Sequence, residues 1–175
     1  VAALMTALGS FAPCLLRCRR VARGQDRSLA NILRSLHVSA LAFFLFSYHV
    51  HEKGVLVPLY PLLPLSLAER DYAAAFSLLS AFTLLPLLHY EGLALAYGAS
   101  VALYVLAWYD HKPRRAFAAF AGLVPLHFMP LVVPPPARYP DLYPALVALL
   151  GAAGFGLAYA AVALHELKPW RYKLD

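Results

Sequence analysis

The sequence predicts an all-α membrane protein, a polytopic helix bundle of about seven segments. Apolar residues make up 62% of the 175 residues, charged residues make up only 14%, and the mean hydropathy is +0.64. About a quarter of an ordinary soluble domain is charged, so a soluble domain of this length could not bury so much apolar surface. The apolar residues also fall into long runs that are separated by short basic connections, as in membrane bundles.

Seven apolar segments follow one another along the chain. A spanning helix needs about 20 apolar residues, within a range of about 17–25, and the fourth to seventh segments reach that range. The second reaches it when Ile32 to Ser35 are included. The segments are 1–16, 36–48, 54–67, 72–88, 92–109, 116–133 and 143–164.

The chain begins inside its first apolar segment. Its first residue is not Met, and "VAALMTALGSFAPCLL" has neither the charged start nor the cleavage site of a secretory signal. We therefore expect residues 1–175 to be one domain, the C-terminal transmembrane part of a longer protein.

The third segment is unusual because "GVLVPLYPLLPL" carries Pro58, Pro61 and Pro64. Each proline removes a backbone donor and clashes with the preceding helical turn. In lipid, a broken helix is tolerated only beside protein or a water-lined cavity. This segment should therefore face the interior of the bundle.

Basic residues concentrate in alternate connections. If every segment crosses the membrane, 13 of the 15 Lys and Arg residues face one side and only Lys53 and Arg138 face the other. Short basic loops stay cytoplasmic, so we expect a cytoplasmic C-terminus and a non-cytoplasmic location for residues 49–53, 89–92 and 132–144. The basic connections are 17–35, 68–71, 110–115 and 165–175.

This placement explains the net charge of +6 without nucleic acid as a partner. An alternative role for the run "RCRRVARGQDR" is a patch that binds acidic lipid headgroups. Tyr139 and Tyr143, in the proline-rich loop on the other side, suit a membrane interface.

The stretch "HVHEK" places His49, His51, Glu52 and Lys53 where an apolar segment ends. One interpretation is an interfacial cap in which Glu52 pairs with Lys53. Another is an anion site, because His and Lys donate hydrogen bonds to phosphate oxygens and the broken helix leaves backbone N–H groups nearby. A zinc site is a third, but the sequence shows no further ligand, so we expect neither a metal nor another cofactor.

The stretch "HYEG" ends another apolar segment on the same predicted side. It is either a polar helix terminus broken at Gly92 or part of the same cavity, lined by His89, Tyr90 and Glu91, in which Glu91 could position a sugar hydroxyl. The isolated His37 and His127 are expected to be satisfied helix-packing residues. Gly-rich phosphate loops, nucleophile elbows and paired carboxylates are not found in the sequence.

Three stretches resemble one enzyme family. "FLFSYHVHEKGVLVPLYPLLPL" is similar to the C-terminal half of endoplasmic-reticulum glucosyltransferases that use dolichyl phosphate glucose, in which a V-H-E-K precedes a proline-bearing apolar run. "SAFTLLPLLHYEGLAL" and "PPPARYPDLYPALV" resemble later stretches of the same family, in the same order. These enzymes add the first and second glucose to the lipid-linked oligosaccharide of asparagine-linked glycosylation.

The resemblance implies a GT-C type, multi-pass α-1,3-glucosyltransferase of the endoplasmic reticulum membrane, a hexosyltransferase. It implies transfer of glucose from dolichyl phosphate glucose to a mannose of Man9GlcNAc2 on dolichyl pyrophosphate, by inverting single displacement. His51 would be the main contact of the donor phosphate, with Lys53, His49 and Glu52 beside it on the lumenal side. The partners would be this donor, the lipid-linked acceptor and membrane lipids.

The departures from the family pattern limit what can be carried over. The family's catalytic aspartate lies in an early lumenal loop N-terminal to these stretches, so no residue here is assigned as the base, and the chain alone is expected to be inactive. "HVHEK" is typical of enzymes that add the second glucose to Glc1Man9GlcNAc2, whereas "LLPLLHYEG" favours the first glucose. The alternatives outside this family are a transporter and a structural membrane bundle.

Overall fold

The computed structural model describes residues 28–47, 51–108 and 114–167, together with isolated positions between 4 and 23. In the three continuous ranges the chain forms α-helices and one 3-10 turn, Glu52–Val55, without any strand. The all-α prediction is therefore confirmed. The helices are α1 Leu29–Phe46, α2 Leu56–Leu65, α3 Arg70–Tyr90, α4 Ala94–Trp108, α5 Arg114–Leu123, α6 Pro125–Val132 and α7 Leu142–Leu167.

Local signals set the ends of the two helices that flank the 3-10 turn and α2. Ser28 caps α1, and its side chain accepts a hydrogen bond from the backbone N–H of Asn31. At the end of α3, Gly92 adopts φ +74°, its N–H donates to His89, and the next N–H, of Leu93, donates to Leu88. This is a Schellman ending, which favours glycine because of the positive φ. The predicted break at Gly92 is confirmed.

Three helices are long and apolar enough to cross a membrane among the described residues, namely α1, α3 and α7 up to Leu164. Two predicted segments turn out differently. Segment 92–109 forms the 15-residue α4, which starts only after the Gly92 turn. Segment 116–133 is divided into α5 and α6 at Val124, because Pro125 has no N–H to continue the hydrogen-bond ladder.

Helix α3 lies at the centre of the bundle and packs against α2, α4, α5 and α7. The core is built where α1, α2, α3 and α7 meet. The ring centroids of Phe76 and Phe155 are 5.4 Å apart there, and those of Phe44 and Phe155 are 5.2 Å apart. The buried members of this core are Leu41, Val55, Leu62, Leu65, Phe76 and Phe155.

The proline-bearing helix α2 has one buried and one exposed face. Pro58, Leu62 and Leu65 are buried, whereas Tyr60 and Leu63 on the opposite side are exposed. The helix packs most extensively against α1. The prediction that this segment faces the interior is thus confirmed for one of its faces.

Two ion pairs mark the two ends of the bundle. Arg34, near the start of α1, pairs with Glu69 in the connection between α2 and α3. Lys53, in the 3-10 turn, pairs with Glu91 at the end of α3. Each pair joins connections that the charge distribution had assigned to the same side of the membrane.

Close packing of α7 on α3 depends on Gly151. A Cβ atom added at Gly151 would lie 2.3 Å from Cγ2 of Thr83. Thr83 is β-branched, and its hydroxyl donates to the carbonyl of Ser80, so its side chain has little freedom to move. The absence of a side chain at Gly151 therefore sets the distance between these helices.

We expect Gly151→Ala to lower the free energy of unfolding by about 1–3 kcal/mol, the usual cost of overpacking a tight contact. The matched control is Gly156→Ala in the same helix, because a Cβ atom there meets nothing within 4 Å. That substitution should be neutral or stabilising by up to about 1 kcal/mol through helix propensity. Thermal unfolding of the purified protein in detergent measures both, and equal effects would contradict the packing described here.

Candidate functional site

A groove of about 440 Å³ opens between the ends of α1, α3 and α7. Its walls are mainly apolar, and the aromatic rings of Phe44 and Phe155 pack against each other at the edge of the core. The residues that line the groove are Phe44, Leu45, Ser47, His51, Thr83, Pro86, Leu87, Pro144, Val147, Ala148, Gly151, Ala152 and Phe155.

His51 is the ionisable residue among the groove-lining side chains. It is exposed and has an extended backbone, at φ −72° and ψ 151°, immediately before the 3-10 turn. Its carbonyl accepts a hydrogen bond of 2.8 Å from the N–H of Gly54. One of the backbone N–H groups that the sequence suggested for an anion is therefore occupied within the turn, and His51 remains a lining residue whose imidazole can donate a hydrogen bond.

Lys53 lies two residues after His51 and pairs with Glu91, with 2.9 Å between Nζ and Oε1. Glu91 follows the groove residue Leu87 by one helical turn, and its N–H donates to the Leu87 carbonyl. Both side chains stay partly accessible, at 60% for Lys53 and 35% for Glu91. We call His51, Lys53 and Glu91 the rim of the groove.

The rim brings together residues from two of the stretches that the sequence singled out. From the sequence, Glu52 was one proposed partner of Lys53, and Glu91 was a proposed cavity residue. In the structure, Lys53 forms an ion pair with Glu91. His89 and Tyr90, beside Glu91, are exposed and are not among the groove-lining residues. His49 lies outside the described residues, as does the side chain of Glu52.

The loop 133–141 approaches the same end of the bundle and is closed by Tyr143. The Tyr143 hydroxyl donates a hydrogen bond of 2.7 Å to the Val133 carbonyl, and this tyrosine is buried. Tyr143 therefore holds the loop and does not face an interface, unlike the exposed Tyr139, whose ring stacks under Arg138 at 5.6 Å.

His37 has no part in the groove. It is buried, and each ring nitrogen has a hydrogen-bond partner, so the prediction of a satisfied packing residue is confirmed. The side chain of His127 lies outside the described residues.

The groove and rim together suit an amphiphile with an anionic head. Apolar walls can take up a hydrocarbon chain, and because lipid tails are as apolar as these walls, such a chain would be held by packing contacts and not by its removal from water. His51 can donate a hydrogen bond to an oxyanion, and Lys53 adds a fixed positive charge. The sequence did not reveal the groove, although the small residues Ala148, Gly151 and Ala152 have the helical spacing of a close-packed face.

Comparison with known proteins points to a single family. The model of the "ALG6, ALG8 glycosyltransferase family" matches residues 1–162. A Schizosaccharomyces pombe protein named "Probable dolichyl pyrophosphate Man9GlcNAc2 alpha-1,3-glucosyltransferase" is 34% identical over 128 residues, which cover 67% of this chain and 25% of that protein.

Two Drosophila melanogaster proteins are also similar to this chain. One carries the same name and is 31% identical over 144 residues, covering 76% of this chain and 30% of its own length. The other, named "Probable dolichyl pyrophosphate Glc1Man9GlcNAc2 alpha-1,3-glucosyltransferase", is 31% identical over 120 residues, covering 67% and 23%. The chain thus spans less than a third of the length of these relatives.

Proposed function

This chain belongs to the ALG6, ALG8 glycosyltransferase family, and from this we propose that it forms the donor-binding part of an α-1,3-glucosyltransferase. The donor is dolichyl phosphate glucose, and the acceptor is a mannose of Man9GlcNAc2 on dolichyl pyrophosphate. The observation that carries the proposal is that His51 and the Lys53–Glu91 pair lie beside an apolar groove at one end of the bundle. A polyprenyl phosphate has the complementary parts, an anionic head joined directly to an apolar chain.

The rim is assigned to the donor phosphate. His51 donates a hydrogen bond to a phosphate oxygen, and Lys53 supplies charge. When the bond between glucose and phosphate breaks, negative charge grows on the phosphate, so both groups stabilise the transition state more than the ground state. Glu91 holds Lys53 at 2.9 Å before the donor arrives and shares it with the phosphate afterwards.

The groove is assigned to the first isoprene units of the dolichyl chain. Its apolar walls lie on α1, α3 and α7, and His51 belongs to the same lining. Placing the chain there orients the phosphate toward the rim and leaves the glucose on the open side. Binding energy from the non-reacting chain is thereby used to position the reacting carbon.

The transfer is a single displacement. The mannose hydroxyl attacks C1 of glucose, the bond from C1 to the phosphate oxygen breaks, and dolichyl phosphate leaves with the electron pair. A carboxylate base takes the hydroxyl proton, and we assign that base to no residue of this chain. Attack from the face opposite to the phosphate inverts the β-linked donor into an α-1,3 product.

Of the two possible acceptors, we propose Man9GlcNAc2 on dolichyl pyrophosphate, to which the enzyme would add the first glucose. The two Drosophila relatives have the same identity to this chain, but the alignment is longer for the Man9GlcNAc2 enzyme, at 144 residues against 120. The second candidate is Glc1Man9GlcNAc2. Offering both acceptors to the same enzyme preparation decides between them.

We expect His51→Ala and Lys53→Met each to lower kcat/KM for dolichyl phosphate glucose by about 10- to 100-fold, the loss of one charge-assisted hydrogen bond. The assay uses the full-length protein in membranes that lack the endogenous enzyme. The control is Ser100→Ala, which removes an exposed hydroxyl in α4 that donates to the Ala96 carbonyl. Unchanged transfer by both rim variants would refute the assignment of the rim.

We expect Ala152→Trp to raise the donor KM about tenfold, because the indole occupies the space assigned to the prenyl chain and overpacking costs about 1–3 kcal/mol. Ala153→Trp is the matched control, since Ala153 is equally exposed on α7 but does not line the groove. A glucose phosphate donor whose chain is too short to reach into the groove should be less sensitive to Ala152→Trp. Equal effects of the two substitutions on the donor KM would refute the assignment of the groove to the dolichyl chain.

We also propose that the membrane is that of the endoplasmic reticulum, with the rim on the lumenal side and the C-terminus in the cytoplasm. Tyr139→Cys and Leu67→Cys lie at opposite ends of the bundle and are exposed. In sealed microsomes, and with the native cysteines replaced by serine, a membrane-impermeant maleimide should label Leu67→Cys and should reach Tyr139→Cys only after permeabilisation. The reverse labelling pattern would contradict this orientation.

A further inference from the structure

His37 joins three helices at one buried point. Its side chain belongs to α1 and is only 1% exposed. Its Nδ1 lies 2.7 Å from the carbonyl oxygen of Pro58 in α2, and its Nε2 lies 2.7 Å from the hydroxyl of Tyr72 in α3. The ring also makes edge contacts with Tyr72 and Phe76, with centroid distances of 5.6 Å and 4.9 Å.

The partners of His37 fix how it bonds. A carbonyl oxygen can only accept, so the hydrogen of the neutral ring is on Nδ1 and points to Pro58. Nε2 is then the acceptor, and the Tyr72 hydroxyl donates to it. Each of the two contacts therefore has a defined direction, and the ring cannot flip without losing both.

Helix α2 needs such an outside anchor. It has only ten residues, and Pro61 and Pro64 provide no N–H for the carbonyls four residues earlier, those of Val57 and Tyr60. Short helices are marginal without tertiary contacts, and in lipid no water compensates for missing bonds. The position of α2 is therefore set by its neighbours.

The anchored end of α2 is also the end that leads to the rim. Pro58 follows Lys53 by five residues, about one and a half helical turns, and Val55 between them is completely buried. A displacement of Pro58 would be transmitted through this packed segment to Lys53 and His51. Glu91, the partner of Lys53, caps the C-terminal end of α3, the helix that carries Tyr72 near its start.

We propose that His37 is a positioning residue of the transfer site. By bonding Pro58 and Tyr72 together, it holds α2 in one position against α1 and α3, and so fixes the rim where the donor phosphate binds. This inference rests on the proposed function for its catalytic consequence. Its structural part, the anchoring of residues 51–58, is independent of that function.

The test compares His37→Phe, Tyr72→Phe and the double variant in the full-length protein. Phenylalanine fills the space of the replaced ring beside Phe76, and it is slightly larger than histidine, so no cavity is created at either position. His37→Phe leaves the Tyr72 hydroxyl without the imidazole, which destabilises the fold, and the double variant removes that hydroxyl, so that stability returns toward wild type. The bond to Pro58 is missing in both.

The expected results separate positioning from stability. Per folded molecule, kcat/KM for the donor should fall about tenfold in His37→Phe and stay low in the more stable double variant, while the acceptor KM is unchanged. Ser80→Ala is the control, because it also removes a buried hydroxyl from α3, one that bonds only within the helix, to Phe76. Its donor kinetics should match wild type.

Recovery of donor kcat/KM together with stability in the double variant would overturn the proposal and make His37 a purely structural residue. Amide hydrogen exchange gives a second readout that does not need activity. Exchange over residues 51–58 should accelerate in both His37 variants and not in Ser80→Ala, and unchanged exchange would also overturn the proposal. If the wild-type protein transfers no glucose, the proposed function fails, and the exchange data still decide whether His37 anchors α2.

Discussion

The structure depends on one constraint: helix α2 lacks backbone hydrogen bonds and must be stabilised by contacts with its neighbours. Pro61 and Pro64 deprive α2 of two backbone donors, and lipid offers no replacement. Two kinds of tertiary contact stabilise α2. The imidazole of His37 donates a hydrogen bond to the Pro58 carbonyl, and Leu62 and Leu65 are buried against the neighbouring helices. The 3-10 turn that carries Lys53 leads directly into this helix, so the rim is placed by the same contacts.

The division of the bundle into two ends has a physical basis in charge. Arg34 and Glu69 pair at one end, and Lys53 and Glu91 pair at the other. The Lys53–Glu91 pair is the more exposed of the two, and an exposed ion pair contributes little to stability, about 0–1 kcal/mol. We infer that the Lys53–Glu91 pair serves binding and not stability, because it positions an ammonium group next to the groove, where an anion can bind.

Much of this architecture could be predicted from residue patterns, and the failures have identifiable causes. Hydropathy predicted α1, α3 and α7, and alternating basic loops predicted which connections lie together. Pattern alone missed the division of segment 116–133 at Val124, since a single proline outweighed a continuous apolar run. It also missed the groove, because a groove is formed by helices distant in sequence and its walls, such as Thr83 and Phe155, look like ordinary core residues. The partner of Lys53 is 38 residues away in the chain, beyond the reach of local pairing rules.

In the proposed function, the rim and the groove together bind a dolichyl phosphate donor. The most direct measurement is an electron cryomicroscopy structure of the full-length protein with a non-hydrolysable dolichyl phosphate glucose analogue. We expect phosphate oxygens within hydrogen-bond distance, about 2.7–3.2 Å, of His51 and Lys53, with the lipid chain between α1, α3 and α7. A phosphate bound elsewhere, with the groove empty of the lipid chain, would contradict it.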